Sequence, residues 1–206
     1  MQDILDYLKQ GGLFMYPIIF GCLWALTLLV ERTIFYFQTG SNLTRQLRTF
    51  FSLLEKEGSE PASRYLTGQR GILKNVLSVA LRHRGEAPER IQEKMEVILV
   101  EQLPSYSKYL NLLASLAGLM PVFGLLGTVS GMIMTFRVIS LHGTGDAQAM
   151  ASGIAEALIT TQAGLVAAAP IMLGHVLLAS RVKKISDKTR EACVKYITLL
   201  KDSNVQ

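Results

Sequence analysis

Glu156 is the one carboxylate inside a long apolar segment of this chain. The next 24 residues, from Ala157 to Ser180, carry no side chain that is ionised at neutral pH. An acid inside a membrane-spanning helix costs roughly 2–3 kcal/mol or more on insertion scales. A membrane protein keeps such a group when it faces a partner, an ion path or a water-filled cavity. Glu156 is therefore the first functional candidate, and proton movement is the chemistry that it predicts.

Three threonines accompany this acid. Thr160 follows Glu156 by four residues and shares its helical face, Thr161 points toward a different side, and Thr128 lies in the preceding apolar stretch. A hydroxyl both donates and accepts hydrogen bonds, so it can relay a proton or hold a water chain. A threonine in a membrane helix can instead bond a carbonyl of its own helix. We predict a proton pathway or pore lining formed by Glu156, Thr128, Thr161 and Thr160.

Spanning helices must position these groups. Three runs without a charged side chain occur, at Gly11–Val30, Tyr109–Phe136 and Ala157–Ser180. A helix needs about 20 apolar residues to cross a hydrocarbon core of about 30 Å. Only helices and closed barrels satisfy their backbone in lipid, and no run alternates with the period of a strand. The sequence predicts an all-α integral membrane protein with three transmembrane helices, at about 13–35, 109–136 and 154–180.

The basic residues predict the orientation of these spans. Lys and Arg concentrate in residues 31–108, with 12 against 9 acids, and in residues 181–206, with 7 against 3. Because positive loops stay on the cytoplasmic side, we expect the N-terminus on the outer side of the membrane and a short external loop near 138–150. A cytoplasmic helical segment would occupy about 36–108 and a cytoplasmic tail 181–206. These charges are too few and too mixed to indicate nucleic-acid binding.

Helical spacing of apolar residues predicts further helices outside the spans. They cover residues 41–57 with Ser41 as N-cap, 71–84 up to a break at Gly85, a helix starting at Pro88, and about 183–200. Pro104 is the only interruption expected before the second span. We interpret residues 1–206 as a single integral membrane unit with long helical extensions.

Small residues and prolines recur within the second and third spans. Small residues spaced by four let two helix backbones approach closely, and a proline frees one backbone carbonyl. The residues predicted to serve helix packing are Gly124, Gly127, Gly131, Pro121, Gly164 and Pro170.

Other classes of function have less support. The sequence shows no nucleotide-binding loop, no metal-spaced His/Cys cluster and no nucleophile–base pair, so we expect no enzymatic activity, no metal and no cofactor. Cys22 and Cys193 are interpreted as structural residues. A transporter acting alone would need broken helices or inverted repeats. A non-conducting membrane scaffold would explain the glycines, but not Glu156 with its threonines.

Two stretches resemble a known family. They are LMPVFGLLGTVSGMIMTF at 119–136 and GIAEALITTQAGLVAAAPIMLGHVL at 153–177. Both resemble the signature of the MotA/TolQ/ExbB proton-channel family. Three spans instead of four favour the ExbB/TolQ side over flagellar MotA.

The resemblance implies a homopentamer in the bacterial inner membrane whose second and third helices surround a pore. An ExbD/TolR-like single-span dimer with an essential Asp would occupy that pore, and membrane lipid would surround the ring. The complex would use the proton motive force to drive a TonB- or TolA-like protein, and Glu156, Thr128 and Thr161 match the family's pore-facing positions. Thr160 and Gln162 depart from the family pattern. TonB-type, Tol-type and gliding-type outputs remain open, and the lack of further carboxylates favours H⁺ over Na⁺.

Overall fold

A computed structural model describes residues 10–40, 43–143 and 146–203, and within these ranges the regular structure is entirely helical. The helices are α1 (Met15–Gly40), α2 (Leu43–Lys56), α3 (Ser59–Thr67), α4 (Ile72–Arg82), α5 (Pro88–Ser107), α6 (Leu110–His142) and α7 (Ala147–Ser203). The all-α prediction is confirmed for this part of the chain.

Three of the described helical stretches are long and apolar enough to cross a membrane. They lie within Met15–Phe37, Pro88–Leu141 and Ala147–Asp202. Large apolar side chains remain exposed along them, including Leu125, Ile133 and Val166. A surface of this kind suits lipid or another apolar helix far better than water. The prediction of three spanning helices is confirmed by length and composition.

The chain divides into two compact units. The apolar unit contains the described residues through Glu31 together with Tyr109–Leu177, and the charged unit contains Arg32–Lys108 and the described residues from Leu178 onward. The prediction of one integral unit over residues 1–206 stays a prediction.

In the apolar unit, α6 and α7 pack in antiparallel register. Gly124 lies beside Thr161, and Gly131 lies beside Gly153 and Ala157, so the residue numbers rise along one helix as they fall along the other. The first part of α1 joins them where Gly21 lies against Met120. Glycines at these points let the helices approach at backbone distance.

The charged unit has its own buried core. Phe50 of α2, Val76 and Leu77 of α4, Met95 of α5 and Tyr196 of α7 are almost wholly buried. Buried residues recur at helical spacing within these elements, as Ile91, Met95 and Leu99 do in α5, so each amphipathic helix turns one stripe inward. The Tyr196 hydroxyl donates to the backbone oxygen of Ala80 at 3.1 Å, which satisfies its polar atom inside the core.

The end of α5 departs from expectation. Pro104 lies inside α5, and the break comes instead at Lys108 and Tyr109, where Tyr109 adopts a left-handed φ of 67°. A proline removes a single backbone donor, so a proline inside a helix does not always end it. The carbonyls freed at this helix end are bonded by side chains of α1. Arg32 donates to Ser105 O at 3.2 Å, and the Tyr36 hydroxyl donates to Tyr106 O.

Other helix boundaries differ by smaller amounts. α4 ends at Arg82, before Gly85, and α3 was not predicted at all. The connection between the second and third spans is shorter than predicted, because α6 extends to His142 and α7 begins at Ala147. Ser41, the predicted N-cap, lies outside the described residues.

Candidate pore-facing site

Glu156 is the tenth residue of α7, nine positions after Ala147, and its side chain is half-buried. One side of its carboxylate is covered by the backbone of Gly12, just before α1. A Cβ added to Gly12 would overlap the carboxylate oxygen Oε1 and would lie 2.5 Å from Cδ. Gly12 also has a φ of 66°, in the left-handed region where glycine is favoured. Glycine thus meets two demands at position 12, a left-handed backbone and contact with an acid.

Thr160 lies in the interior of the apolar unit. Its exposure is 0%, and its hydroxyl oxygen is 2.7 Å from Gly11 O and 2.6 Å from Glu156 O. The hydroxyl has one proton to donate and two acceptors within reach, one on its own helix and one on the segment before α1. Its Cβ faces Gly127 of α6, where an added Cβ would lie 2.5 Å away. The predicted pathway role of Thr160 stays a prediction, and its position suits packing.

Thr161 connects α7 to α6. Its side chain is half-buried and its hydroxyl donates to the backbone oxygen of Gly124 at 3.0 Å. The same glycine approaches the Thr161 backbone, since a Cβ at position 124 would lie 3.1 Å from the Thr161 Cα. Thr161 is therefore a polar group at the line of contact between the two helices.

Thr128 lies on α6 and donates to the backbone oxygen of Leu125 at 2.7 Å, within its own helix. It follows Gly124 by four residues, so the two share a face of α6. Along the axis of α6, Thr128 lies between Gly124 and Gly131, the two glycines that contact α7. Thr128 thus lies at a similar level to the Glu156 turn, without a hydrogen bond to it.

The glycines predicted for packing lie at tight contacts. A Cβ on Gly131 would lie 2.5 Å from Gly153 O, and one on Gly164 would lie 2.6 Å from Met120 O. A backbone carbonyl cannot turn aside as a flexible side chain can. Pro121 lies half-buried in α6 and Pro170 lies exposed in α7.

Three residues of this site were not anticipated. Thr135 of α6 is 3% exposed, donates to Gly131 O at 3.0 Å, and lies against Gly153. Gly11 and Gly12 form the other omission. Their signal in the sequence is a pair of adjacent glycines directly before the first span, a place where helix-forming residues would otherwise fit.

The chain is similar in sequence to several known proteins. The chain is 31% identical over 185 residues to the biopolymer transport protein ExbB-like 1 of Synechocystis sp., covering 86% of this chain and 71% of the relative. It is 25% identical over 203 residues to the biopolymer transport protein exbB1 of Vibrio cholerae, covering 97% and 89%. It is 33% identical over 119 residues to the Tol-Pal system protein TolQ of Haemophilus influenzae, covering 56% and 52%.

A family model covers more than half of the chain. The model of the MotA/TolQ/ExbB proton channel family matches residues 68–191, a range that contains all of α6 and the apolar part of α7. Glu156, Thr128, Thr160 and Thr161 lie within the matched range. The chain is a membrane protein that belongs to the MotA/TolQ/ExbB proton channel family, on its ExbB/TolQ-like side.

Proposed function

We propose that this protein is the channel-forming subunit of an inner-membrane motor that converts proton motive force into mechanical work. The observation that carries the proposal is the placement of Glu156 and Thr161 on α7, where α7 packs against α6. The neighbouring stretches of the two helices, Tyr109–Phe136 and Ala157–Ser180, carry no charged side chain. Membership of a proton channel family supports it. We propose a ring of five copies with α6 and α7 toward the centre, the N-terminus periplasmic and the C-terminus cytoplasmic.

The proposed pathway residues are Glu156, Thr161 and Thr128. Glu156 and Thr161 are half-buried in the protomer, so part of each side chain is available to a pore. Thr160 is wholly buried, and we propose that it supports the pathway from within the protomer. A hydroxyl that already donates to a carbonyl still has lone pairs that accept a hydrogen bond from water.

The moving carboxylate in this proposal belongs to a partner. An ExbD/TolR-like dimer with an Asp in each span would occupy the pore. An unpaired carboxylate in a dry pore is costly, so its preferred contact with the wall changes when it gains or loses a proton. Each proton crossing 100 mV releases about 2.3 kcal/mol. A twofold-symmetric dimer cannot make equivalent contacts with all five subunits of the ring at once. Each proton can therefore drive the dimer from one set of contacts to the next. The output would act on a TonB- or TolA-like protein.

Glu156→Gln is the primary test, because it removes the charge and keeps the shape. We expect proton-driven work in cells to be lost while the variant still assembles with a single-span, Asp-bearing partner, as measured by native mass spectrometry. Near-normal work in this variant would remove Glu156 from the pathway.

Thr128→Ala tests the second hydroxyl, and Ser115→Ala is its matched control. Ser115 is exposed on α6 and donates to Asn111 O at 3.0 Å, so both residues bond a carbonyl of their own helix. We expect reduced work for Thr128→Ala alone. Normal work in all pathway variants, together with no proton flux through the parent protein, would favour the non-conducting scaffold instead.

A further inference from the structure

The segment that precedes α1 lies directly over the Glu156 turn of α7. Gly11 contributes its carbonyl to the Thr160 hydroxyl at 2.7 Å, and a Cβ on Gly11 would lie 3.4 Å from Ile159 Cγ2. Gly12 lies against the carboxylate of Glu156. Two adjacent residues of this segment therefore contact three positions of α7, namely 156, 159 and 160.

The contact is anchored on both sides. The Thr160 side chain is 0% exposed, so its hydrogen bond to Gly11 is shielded from competing water. On the other side, Gly12 O accepts a hydrogen bond from Met15 N at 3.3 Å, which ties the segment to the first turn of α1. Gly11 itself is buried, and a Cβ there would lie 2.9 Å from the Met15 methyl group. The backbone at Gly12 is held in place from both directions.

We propose that Gly12 is a positioning residue for Glu156, closing one side of its carboxylate so that the acid exchanges protons only from its exposed side. The role in proton exchange rests on the proposed function, whereas the contact between Gly12 and Glu156 is independent of it. Any side chain at position 12 would occupy the space of the carboxylate. Either the acid would turn outward or the segment would lift, and both changes open the closed side.

A pair of glycines makes the test specific. Gly12 and Gly143 share a φ of 66°, a backbone conformation that L side chains rarely adopt, so alanine is strained at both. An added Cβ at Gly143 meets nothing within 4 Å, whereas at Gly12 it overlaps Glu156. Gly143→Ala therefore shows the effect of positive-φ strain without a steric contact, and Gly12→Ala adds the overlap with the acid.

The first measurement is the rate at which a lipid-soluble carbodiimide modifies Glu156 in the full-length protein in membranes, read by mass spectrometry of the peptide. We expect Gly12→Ala and Thr160→Val to raise this rate severalfold over the parent and over Gly143→Ala. A merely structural defect would not single out Glu156 among the carboxylates. An unchanged or lower rate at Glu156 in both variants would overturn the proposal.

The second measurement is rescue by a shorter acid. Gly12→Ala should lower the unfolding temperature more than Gly143→Ala does. Adding Glu156→Asp to Gly12→Ala withdraws the carboxylate by one methylene and should restore much of the loss. No recovery with aspartate would contradict the contact.

These readouts separate the inference from the proposed function. If Glu156→Gln works normally, the proposed pathway fails, yet the carbodiimide and rescue experiments still report on Gly12. If the carbodiimide rate does not respond, the positioning role fails while proton-driven work remains testable through Glu156 and Thr161.

Discussion

The hydroxyl of Thr161 donates to the backbone oxygen of Gly124, with 3.0 Å between the two oxygen atoms. The bond joins α7 to α6 at a place where the absence of a side chain on Gly124 lets the two backbones meet. Thr161 is thus both a candidate pathway hydroxyl and a link between two spans, and substitutions can separate these roles.

Thr161→Val and Thr161→Ser form a matched pair. Valine keeps the branched shape and removes the hydroxyl, so we expect it to cost about 1 kcal/mol of stability, the net worth of one hydrogen bond. Proton-driven work should fall as well. Serine keeps the hydroxyl and should retain most of the work. Thermal unfolding of the purified protein measures the first effect and a cell-based assay the second. Full work in the valine variant would show that the hydroxyl serves packing alone.

Gly131→Ala tests the close approach of α6 and α7. The added methyl would lie 2.5 Å from Gly153 O, a backbone atom, so we expect about 1–3 kcal/mol of destabilisation from overpacking. Gly118→Ala is the control on the same helix, because its Cβ meets nothing within 4 Å. In a helix interior that change should be neutral or stabilising by about 0.5–1 kcal/mol. Chemical unfolding in detergent compares the unfolding free energies of the two variants. Equal losses of stability would argue against the contact between Gly131 and Gly153.

Tyr106→Phe tests the start of α4. The Tyr106 hydroxyl accepts a hydrogen bond from Ile72 N at 2.9 Å, at a helix end whose backbone donors lack partners within the helix. Phenylalanine would leave this buried donor unsatisfied, at about 1–3 kcal/mol. Tyr65→Phe, on a half-buried tyrosine of α3, is the control and should change little. The unfolding free energy measures both, and a neutral Tyr106→Phe would mean that Ile72 finds another acceptor.

Cys193 should react slowly with thiol reagents. Burial of the thiol, reinforced by nearby Glu96, raises its pKa from an ordinary 9.0 to about 11. Because the thiolate is the nucleophile, its fraction at pH 8 falls about a hundredfold. The labelling rate should then rise with pH until it levels off near the raised pKa.

Iodoacetamide labelling in a Cys22→Ala background checks this expectation, with the denatured protein as reference. The denatured chain should label at the rate of an ordinary thiol. Rapid labelling of the native protein at pH 8 would show that Cys193 is accessible and ionised.

Local patterns predicted the elements of this fold better than its contacts. The three spans follow from uncharged runs of sufficient length, and α2, α4 and α5 follow from apolar residues at helical spacing. α3 was missed because it has only 9 residues and contains Pro61 near its start. Pro104 predicts a break because proline disrupts helix interiors. The break lies instead at Tyr109, and the side chains of Arg32 and Tyr36 donate to the carbonyls that precede it.

The candidate site was only partly predictable for a similar reason. Helical periodicity places Thr160 on the face of Glu156 and Thr161 on another, but it cannot say which face meets a neighbouring helix. The buried bond from Thr160 to Gly11 spans 149 residues of sequence. No local pattern encodes a contact of that separation, and the cover of Gly12 over Glu156 depends on it.

The beginning of α7 fixes where its acid lies. Asp146 accepts a hydrogen bond from Ala149 N at 2.9 Å, so it is the N-cap of the helix, and Glu156 follows by ten residues. At 1.5 Å per residue the acid lies about 15 Å along the helix axis from this cap. Inserting one residue between them would shift its height by about 1.5 Å and its direction by about 100°. The number of residues between Asp146 and Glu156 therefore matters more than their identity. Insertions in this segment should be far less tolerated than substitutions.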